Sequence, residues 1–297
     1  MQGNVTDVQR FSLNDGNGIR TTVFLKGCNM QCKWCHNPET IDFKNNVMLY
    51  EKNCIKCGKC FEVCPNGAQI IQNGIHKIDA EKCVSCGKCV NVCYAEALKF
   101  SAKKMSVPDI MFEVMQDMPY YEESNGGVTI SGGEAFCQTE FVDAIATECN
   151  KLGIDIAVET NLLHDFGKIE NTLKKLNMVM FDIKLFDDEM HKKYTGVSNK
   201  LVLENAVKLD KLGIPMIVRT PLIPNVTDNI ENLTQIAKFV STLKNVKYYE
   251  LLNFNPLGAI KYEALNKEND YHDEKPLNNA KLDAIKEALK QCKIKIS

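Results

Sequence analysis

Runs of apolar, often β-branched residues recur along the chain and alternate with stretches whose apolar positions follow a helical period. Six of these runs predict buried strands, at residues 21–25, 127–131, 154–158, 178–182, 215–219 and 248–252. Amphipathic helices are predicted at residues 141–152, 169–176, 201–212, 230–243 and 282–292. This alternation predicts an α/β fold with a parallel sheet and right-handed connections, either a partial barrel or an open doubly wound sheet.

Polar residues come directly after several of the predicted strands. The loops at the carboxyl ends of parallel strands carry the chemistry in barrels of this kind, so we expect these residues on one rim. Each group alone is a weak signal, but together they predict one functional site. The groups are residues 132–134 (Gly-Gly-Glu), 159–161 (Glu-Thr-Asn), 182–184 (Asp-Ile-Lys), Arg219 and residues 253–255 (Asn-Phe-Asn).

Composition excludes several classes of protein and singles out the cysteines. The chain has 297 residues, 44% of them hydrophobic, and a formal net charge of -2, so we expect neither nucleic acid nor a membrane as partner. No apolar run is long enough to span a membrane, and the first residues lack the pattern of a secretory signal. We therefore predict a cytoplasmic protein. In that reducing compartment its 14 cysteines are expected to be metal ligands or reactive thiols, not disulfides.

Eight of the cysteines form an internal repeat. Cys54, Cys57, Cys60 and Cys64 recur as Cys83, Cys86, Cys89 and Cys93 at an offset of 29 residues. The C-x2-C-x2-C-x3-C spacing is typical of bacterial ferredoxins, in which the fourth cysteine ligates the other cluster. We therefore predict two [4Fe–4S] clusters, each with a crossed fourth ligand. One is assigned to Cys54, Cys57, Cys60 and Cys93, and the other to Cys83, Cys86, Cys89 and Cys64.

The repeat divides the chain into three predicted parts. Residues 49–100 are predicted to be a ferredoxin-like insertion, and residues 1–48 and 101–297 are predicted to form the core that it interrupts. Two four-cysteine zinc sites are the alternative interpretation of the repeat, and a disulfide scaffold is a weaker one.

A third group, Cys28, Cys32 and Cys35, has the spacing C-x3-C-x2-C and only three cysteines. Three thiolates on a [4Fe–4S] cube leave one iron without a protein ligand, and an open coordination position is where chemistry can occur. A zinc site completed by His36 fits the same short pattern, so this spacing alone leaves both readings open.

Longer motifs around these cysteines resemble the radical S-adenosylmethionine (SAM) enzymes, specifically the glycyl-radical-enzyme activases related to pyruvate formate-lyase activase. The two ferredoxin-type sites resemble the larger members of that family. The motifs are residues 15–20 (DGNGIR), 27–39 (GCNMQCKWCHNPE), 126–134 (GGVTISGGE), 182–184 (DIK), 195–199 (TGVSN) and 251–258 (LLNFNPLG).

The resemblance implies a fold and an activity. The fold would be a partial (β/α)6 radical SAM barrel with an inserted bacterial-ferredoxin-like domain. The activity would be that of an oxidoreductase of anaerobic metabolism that reductively cleaves SAM to a 5′-deoxyadenosyl radical. That radical would abstract a hydrogen atom from a backbone glycine of a partner glycyl radical enzyme. The implied cofactors are three [4Fe–4S] clusters and SAM, and the implied electron donor is a flavodoxin or a ferredoxin.

The resemblance also implies roles for individual residues. Cys28, Cys32 and Cys35 would hold the radical cluster, and with Lys184 they are the predicted catalytic residues. Trp34 is expected against the adenine, and Arg219 is expected to pair with the SAM carboxylate. The full set of predicted SAM contacts is Trp34, Cys35, His36, Asn37, Gly132, Gly133, Glu134, Glu159, Asp182, Ile183, Lys184, Arg219 and Asn255.

Three alternatives remain at this point. One is a radical SAM enzyme that acts on a small molecule or another peptide and uses the additional clusters as electron relays. Another is a plain iron–sulfur electron carrier, for which the long barrel would have no purpose. The last is a zinc-stabilised binding module. Within the favoured interpretation, the additional clusters could relay electrons or stiffen the insertion, and the sequence does not separate these roles.

Overall fold

The computed structural model describes all residues, Met1–Ser297, and contains twelve strands and eleven α-helices. The strands are β1 (Gln2–Ser12), β2 (Arg20–Leu25), β3 (Val47–Leu49), β4 (Gln69–Gln72), β5 (Ile75–Ile78), β6 (Leu98–Phe100), β7 (Lys103–Ser106), β8 (Gly127–Gly132), β9 (Asp155–Thr160), β10 (Met178–Asp182), β11 (Met216–Leu222) and β12 (Val246–Asn253). The helices are α1 (Lys59–Val63), α2 (Lys88–Asn91), α3 (Val107–Met115), α4 (Met118–Ser124), α5 (Thr139–Lys151), α6 (Phe166–Leu173), α7 (Asp188–Thr195), α8 (Lys200–Lys211), α9 (Ile230–Val240), α10 (Ala259–Ala264) and α11 (Asn279–Leu289).

Eight strands form the central sheet in the order β12-β11-β10-β9-β8-β2-β1-β7. The six predicted strands are present as β2 and β8–β12, and all neighbours among them pair in parallel. The sheet order does not return from β12 to β7, so the barrel is open between these strands. The predicted α/β fold with a central parallel sheet is confirmed.

Two strands of the central sheet, β1 and β7, were not predicted. Both pair antiparallel, β1 with β2 and β7 with β1. The register of β1 against β2 shifts between Val5 and Asp7 and again between Gln9 and Ser12. Such bulges interrupt the period-two pattern by which a strand is recognised in sequence.

The helices that follow the parallel strands cover the sheet with apolar faces. In α9, Leu233, Ile236, Ala237 and Val240 are fully buried at helical spacing, and the Asn229 side chain caps the first turn by accepting from Asn232 N. This packing fixes the sheet from which the loops of the functional site project. None of the helices is long and apolar enough to cross a membrane.

The cysteine repeat forms a small unit with its own core. Strand β3 pairs antiparallel with β6, which brings the two ends of this segment together, and β4 pairs with β5. Helices α1 and α2 each begin directly after a glycine with left-handed φ, Gly58 and Gly87, both at +77°. Glycine adopts this left-handed conformation without steric cost, and the repeated Cys-Gly-Lys-Cys sequence places a glycine at both turns.

Candidate functional site

The largest concentration of the predicted site residues lines one cavity of about 290 Å³. The cavity lies where β8, β9, β10 and β12 end, and the loop after β2 borders it as well. The predicted residues among its lining are Cys28, Cys32, Trp34, Cys35, His36, Asn37, Gly132, Gly133, Glu159, Asp182, Lys184 and Asn255. The strand ends therefore bring together residues that are more than 200 positions apart in the sequence.

The loop carrying the three cysteines is anchored through its backbone. At its start, Gly27 N donates to Thr40 O at 2.7 Å and Cys28 N donates to Ile41 O at 3.0 Å. In its middle, Gln31 N donates to Thr195 O at 2.9 Å. These bonds hold the loop without using the cysteine side chains.

The cysteine thiols are buried, and burial disfavours their charged form. It raises the pKa of Cys28 to about 11 and the pKa of Cys35 to about 12, and it raises the pKa of Cys32 as well. A thiolate there needs a compensating cation, and iron in a cluster supplies one. Met30 N also donates towards Cys28 Sγ at 3.4 Å. The donor set therefore fits an iron–sulfur cluster.

The Gly-Gly-Glu loop lies against the cysteine loop, because Leu25 at the end of β2 pairs with Gly132 at the end of β8. A Cβ at Gly132 would lie 2.2 Å from Leu25 N, and a Cβ at Gly133 would lie 2.4 Å from Gly27 O. Gly133 N donates to Leu25 O at 2.9 Å. Glycine is required at both positions because two backbones approach this closely.

Glu134 joins the loops that follow β8 and β9. Its carboxylate is 1% exposed and accepts from Phe136 N at 3.0 Å, Thr160 Oγ1 at 2.7 Å and Asn161 N at 2.6 Å. Asn161, in turn, donates through its side chain towards Cys28 Sγ at 3.9 Å. Glu134 therefore positions a neighbour of the cysteine loop.

Arg219 lies in a network of charges beside the cavity. Its Nε donates to Glu250 at 2.6 Å, Nη1 pairs with Glu159, and Nη2 donates to Asn14 O at 2.9 Å. Burial alone would lower the pKa of Arg219, but the two carboxylates outweigh it and raise the pKa. Arg219 is therefore a fixed cation that ties three chain segments together.

Lys184 and Asp182 form an ion pair inside the cavity. Lys184 Nζ lies 2.6 Å from Asp182 Oδ2, and the lysine is 9% exposed. Burial would lower the pKa of Lys184, but the charge of Asp182 opposes this and the pKa is raised. A positive charge therefore stays next to the cysteine loop.

The remaining eight clustered cysteines line two further cavities in the small unit. Cys54, Cys57, Cys60 and Cys93 line a cavity of about 130 Å³, and Cys64, Cys83, Cys86 and Cys89 line another of about 20 Å³. The fourth cysteine of each run thus lies with the first three of the other run. These are the two sets that the ferredoxin spacing predicts.

Comparisons with known proteins identify the family. The chain matches the radical SAM superfamily over residues 92–237, a 4Fe-4S dicluster domain over residues 46–94 and a 4Fe-4S single cluster domain over residues 14–64. It is 40% identical to the (2S)-3-sulfopropanediol dehydratase activating enzyme of Klebsiella oxytoca, covering 89% of this chain and 85% of that one. It is 39% identical to the trans-4-hydroxy-L-proline dehydratase activating enzyme of Clostridioides difficile, covering 95% and 94%.

The chain belongs to the glycyl-radical-enzyme activating enzymes of the radical SAM superfamily. The predicted activity is thereby confirmed: this activating enzyme cleaves SAM to generate a radical, and its cofactors are SAM and iron–sulfur clusters. Its fold is similar to that of Escherichia coli QueE, with a TM-score of 0.50 at 12% identity over 100% of this chain and 93% of that one.

Three predicted SAM contacts of the activating enzyme do not line the cavity. Glu134 accepts hydrogen bonds from Thr160 and Asn161, and these two residues line the cavity. The Ile183 side chain is 2% exposed within the main hydrophobic core, and its backbone N–H and C=O bond to neighbouring β11 residues. Arg219 donates to Glu159, Glu250 and Asn14 O and does not line the cavity, so its pairing with a SAM carboxylate stays a prediction.

Arg20, the last residue of the motif at residues 15–20, belongs to the scaffold. The side chain is fully buried and donates to Thr129 Oγ1 at 2.7 Å and to Asp155 at 2.8 Å.

Several cavity residues were not predicted. Two of them could have been found from their positions at strand ends: Ser131 directly precedes the Gly-Gly-Glu motif, and Pro221 comes two residues after Arg219. The unpredicted lining residues are Met30, Thr40, Ile41, Ser131, Pro221, Ile223 and Leu252.

Proposed function

We propose that the activating enzyme holds three [4Fe–4S] clusters, one in each of the cysteine-lined cavities. The observation that supports this most is the grouping of eleven cysteines into sets of three, four and four around separate cavities. The set of three, Cys28, Cys32 and Cys35, leaves the position that SAM would occupy. When bound, this cluster supplies the electron that cleaves SAM to the 5′-deoxyadenosyl radical.

The chain's own residues would bind and orient SAM in the 290 Å³ cavity. Trp34 is buried against Tyr194 and Tyr271, with ring centroids 5.9 Å and 6.3 Å away, and this packing fixes its aromatic face for the adenine. Gly132 and Gly133 expose backbone without a side chain. The proposed contacts are Trp34, Cys35, His36, Asn37, Gly132, Gly133, Glu159, Asp182, Lys184 and Asn255.

The Asp182–Lys184 pair would have an electrostatic role in this cavity. Lys184 carries a positive charge that favours thiolates on Cys28 and Cys32 and the carboxylate of SAM. Asp182 fixes the ammonium group at 2.6 Å, so the charge is preorganised before the cofactor binds. We propose this electrostatic role for Lys184 as its contribution to catalysis.

The partner is a glycyl radical enzyme, which supplies the glycine that loses the hydrogen atom. We further propose that residues 49–100 form an inserted module within a core of residues 1–48 and 101–297. Cys57 and Cys86 are exposed, which supports a relay of electrons from a flavodoxin or ferredoxin through this module. The number of thiols that must stay reduced supports a cytoplasmic location.

Anaerobic reconstitution tests the cluster assignment. We expect about twelve iron atoms per chain and formation of 5′-deoxyadenosine from SAM with dithionite. A variant with Cys28, Cys32 and Cys35 all changed to Ala should keep about eight iron atoms and form no 5′-deoxyadenosine. Cys137→Ala, at a cysteine outside the three sets, is the matched control and should behave as the parent. Cleavage of SAM by the triple variant would refute the proposal.

A further inference from the structure

A histidine lies among the cysteines of the 130 Å³ cavity. His76, on β5, is 7% exposed, and its two ring nitrogens face two different ligand sulfurs. Nδ1 lies 3.8 Å from Cys54 Sγ, and Nε2 lies 3.9 Å from Cys60 Sγ. These are distances at which an N–H group can donate a hydrogen bond to sulfur.

The ring is held in this orientation by its surroundings. Gln69, on the adjacent strand β4, is 6% exposed, and its side-chain amide lies 2.7 Å from His76 Nε2. Phe61 packs against the ring with centroids 5.0 Å apart. A buried imidazole requires hydrogen-bond partners, and here those partners are one amide and the cysteine sulfurs.

A thiolate beside Nδ1 favours the tautomer that carries its proton on Nδ1. A cysteine that ligates iron is a thiolate and can only accept, so Nδ1–H donates to Cys54 Sγ. Nε2 lies 2.7 Å from Gln69 Oε1, and a half-turn of that amide, which exchanges its oxygen and nitrogen, lets Nε2 accept from the amide N–H. In this arrangement the imidazole is neutral and both of its nitrogens have partners.

The other four-cysteine cavity has no counterpart to His76. No histidine lies among the residues that line the cavity of Cys64, Cys83, Cys86 and Cys89. The offset of 29 residues that relates the two cysteine runs places Met105 at the position equivalent to His76. Gln69 lines this second cavity, so the Gln69–His76 pair lies between the two sites.

We propose that His76 raises the reduction potential of the cluster held by Cys54, Cys57, Cys60 and Cys93 above that of its neighbour. This inference rests on the proposed assignment of clusters to the two cavities. A hydrogen bond to a ligand sulfur stabilises the added negative charge of the reduced cluster, and hydrogen bonds to sulfur are among the factors that set cluster potentials. His76 is therefore a positioning residue, and the cluster beside it is the one that is reduced first within the insertion.

Potentiometric titration of the holoenzyme, followed by EPR, measures the effect directly. One charge-assisted hydrogen bond corresponds to about a tenfold change in the equilibrium constant for reduction, which is ~59 mV for a one-electron couple. We expect His76→Leu to lower the potential of one cluster by this amount and to leave the other clusters unchanged. His76→Gln retains an N–H donor and should restore part of the difference. His272→Leu, at an exposed histidine, is the matched control.

The outcomes separate this inference from the assignment on which it rests. If His76→Leu contains about twelve iron atoms and every potential is unchanged, His76 has no such role while the clusters stand. If the parent protein contains only about four iron atoms, the assignment itself fails.

A measurement on the parent sequence covers the case in which His76→Leu does not assemble its cluster. Protein labelled with 15N-histidine should show a nitrogen coupling to the reduced cluster in pulsed EPR, and the same labelled His76→Gln should lack it. Identical spectra from the two proteins would overturn the inference.

Discussion

Glu134 holds two loops of the site together, so neutralising it tests whether the loop after β9 depends on this carboxylate. The change Glu134→Gln preserves the shape of the side chain and replaces one oxygen by an NH2 group. In the structure one oxygen accepts from Phe136 N and Thr160 Oγ1, and the other accepts from Asn161 N. A glutamine offers a single acceptor oxygen, so one backbone N–H must face another donor.

The expected destabilisation can be worked out from these bonds. A buried donor left without an acceptor costs about 1–3 kcal/mol, and the bonds that remain lose their charge assistance at about 1 kcal/mol. We therefore expect a loss of about 3 kcal/mol in the free energy of unfolding, which lowers Tm by roughly 5 °C in a chain of 297 residues. Asn161 N should lose its acceptor, because the glutamine oxygen keeps two donors when it faces Phe136 N and Thr160 Oγ1.

Thermal unfolding of the anaerobic holoenzyme and hydrogen exchange of residues 160–163 are the assays. Glu134→Gln should unfold earlier and exchange the Asn161 amide faster, and it should bind SAM more weakly because Thr160 and Asn161 line the cavity. Glu140→Gln, at an exposed glutamate of α5, is the matched control and should change stability by less than about 0.5 kcal/mol. Unchanged exchange at Asn161, with a Tm equal to that of the control, would show that the carboxylate does not hold this loop.

Three further changes test other parts of the structure. Gly133→Ala places a Cβ 2.4 Å from a backbone oxygen of the cysteine loop. We expect it to lower the free energy of unfolding by about 1–3 kcal/mol and to weaken SAM binding measured by calorimetry. Gly167→Ala is the control and should be neutral, because its Cβ would make only ordinary contacts. Arg219→Met leaves two partly buried carboxylates without their cation, so thermal unfolding should show a loss of about 3 kcal/mol, and a loss below about 1 kcal/mol would contradict the ion-pair network. Burial lowers the pKa of His191, so the folded protein disfavours the charged imidazole. Stability should therefore fall as the pH drops below the unfolded-state pKa of about 6.5. His191→Gln should show a smaller decrease in Tm between pH 7.5 and pH 5.5.

The cysteine spacing determined much of the candidate site before any tertiary structure was known. Contacts between neighbours in sequence decide such features: the turn that gathers Cys54, Cys57 and Cys60 is local, and so is the left-handed conformation at Gly58 that begins α1. The parallel strands were equally visible, because strands buried on both faces appear as continuous apolar runs. Strand β7 was not, because Lys103 and Lys104 make it polar and it is only four residues long.

Tertiary structure alone decided which polar side chains face the cavity and which serve the scaffold. Arg219 and Lys184 are both basic residues at strand ends, yet Arg219 forms ion pairs with Glu159 and Glu250 outside the cavity, whereas Lys184 lines the cavity. His76 carries no motif, and it reaches Cys54 from 22 residues away only because β5 packs over the cysteine turn. The sequence therefore specified the ligands, whose spacing is local, but not these partnerships, because a side chain's partner across the fold depends on how separate elements pack.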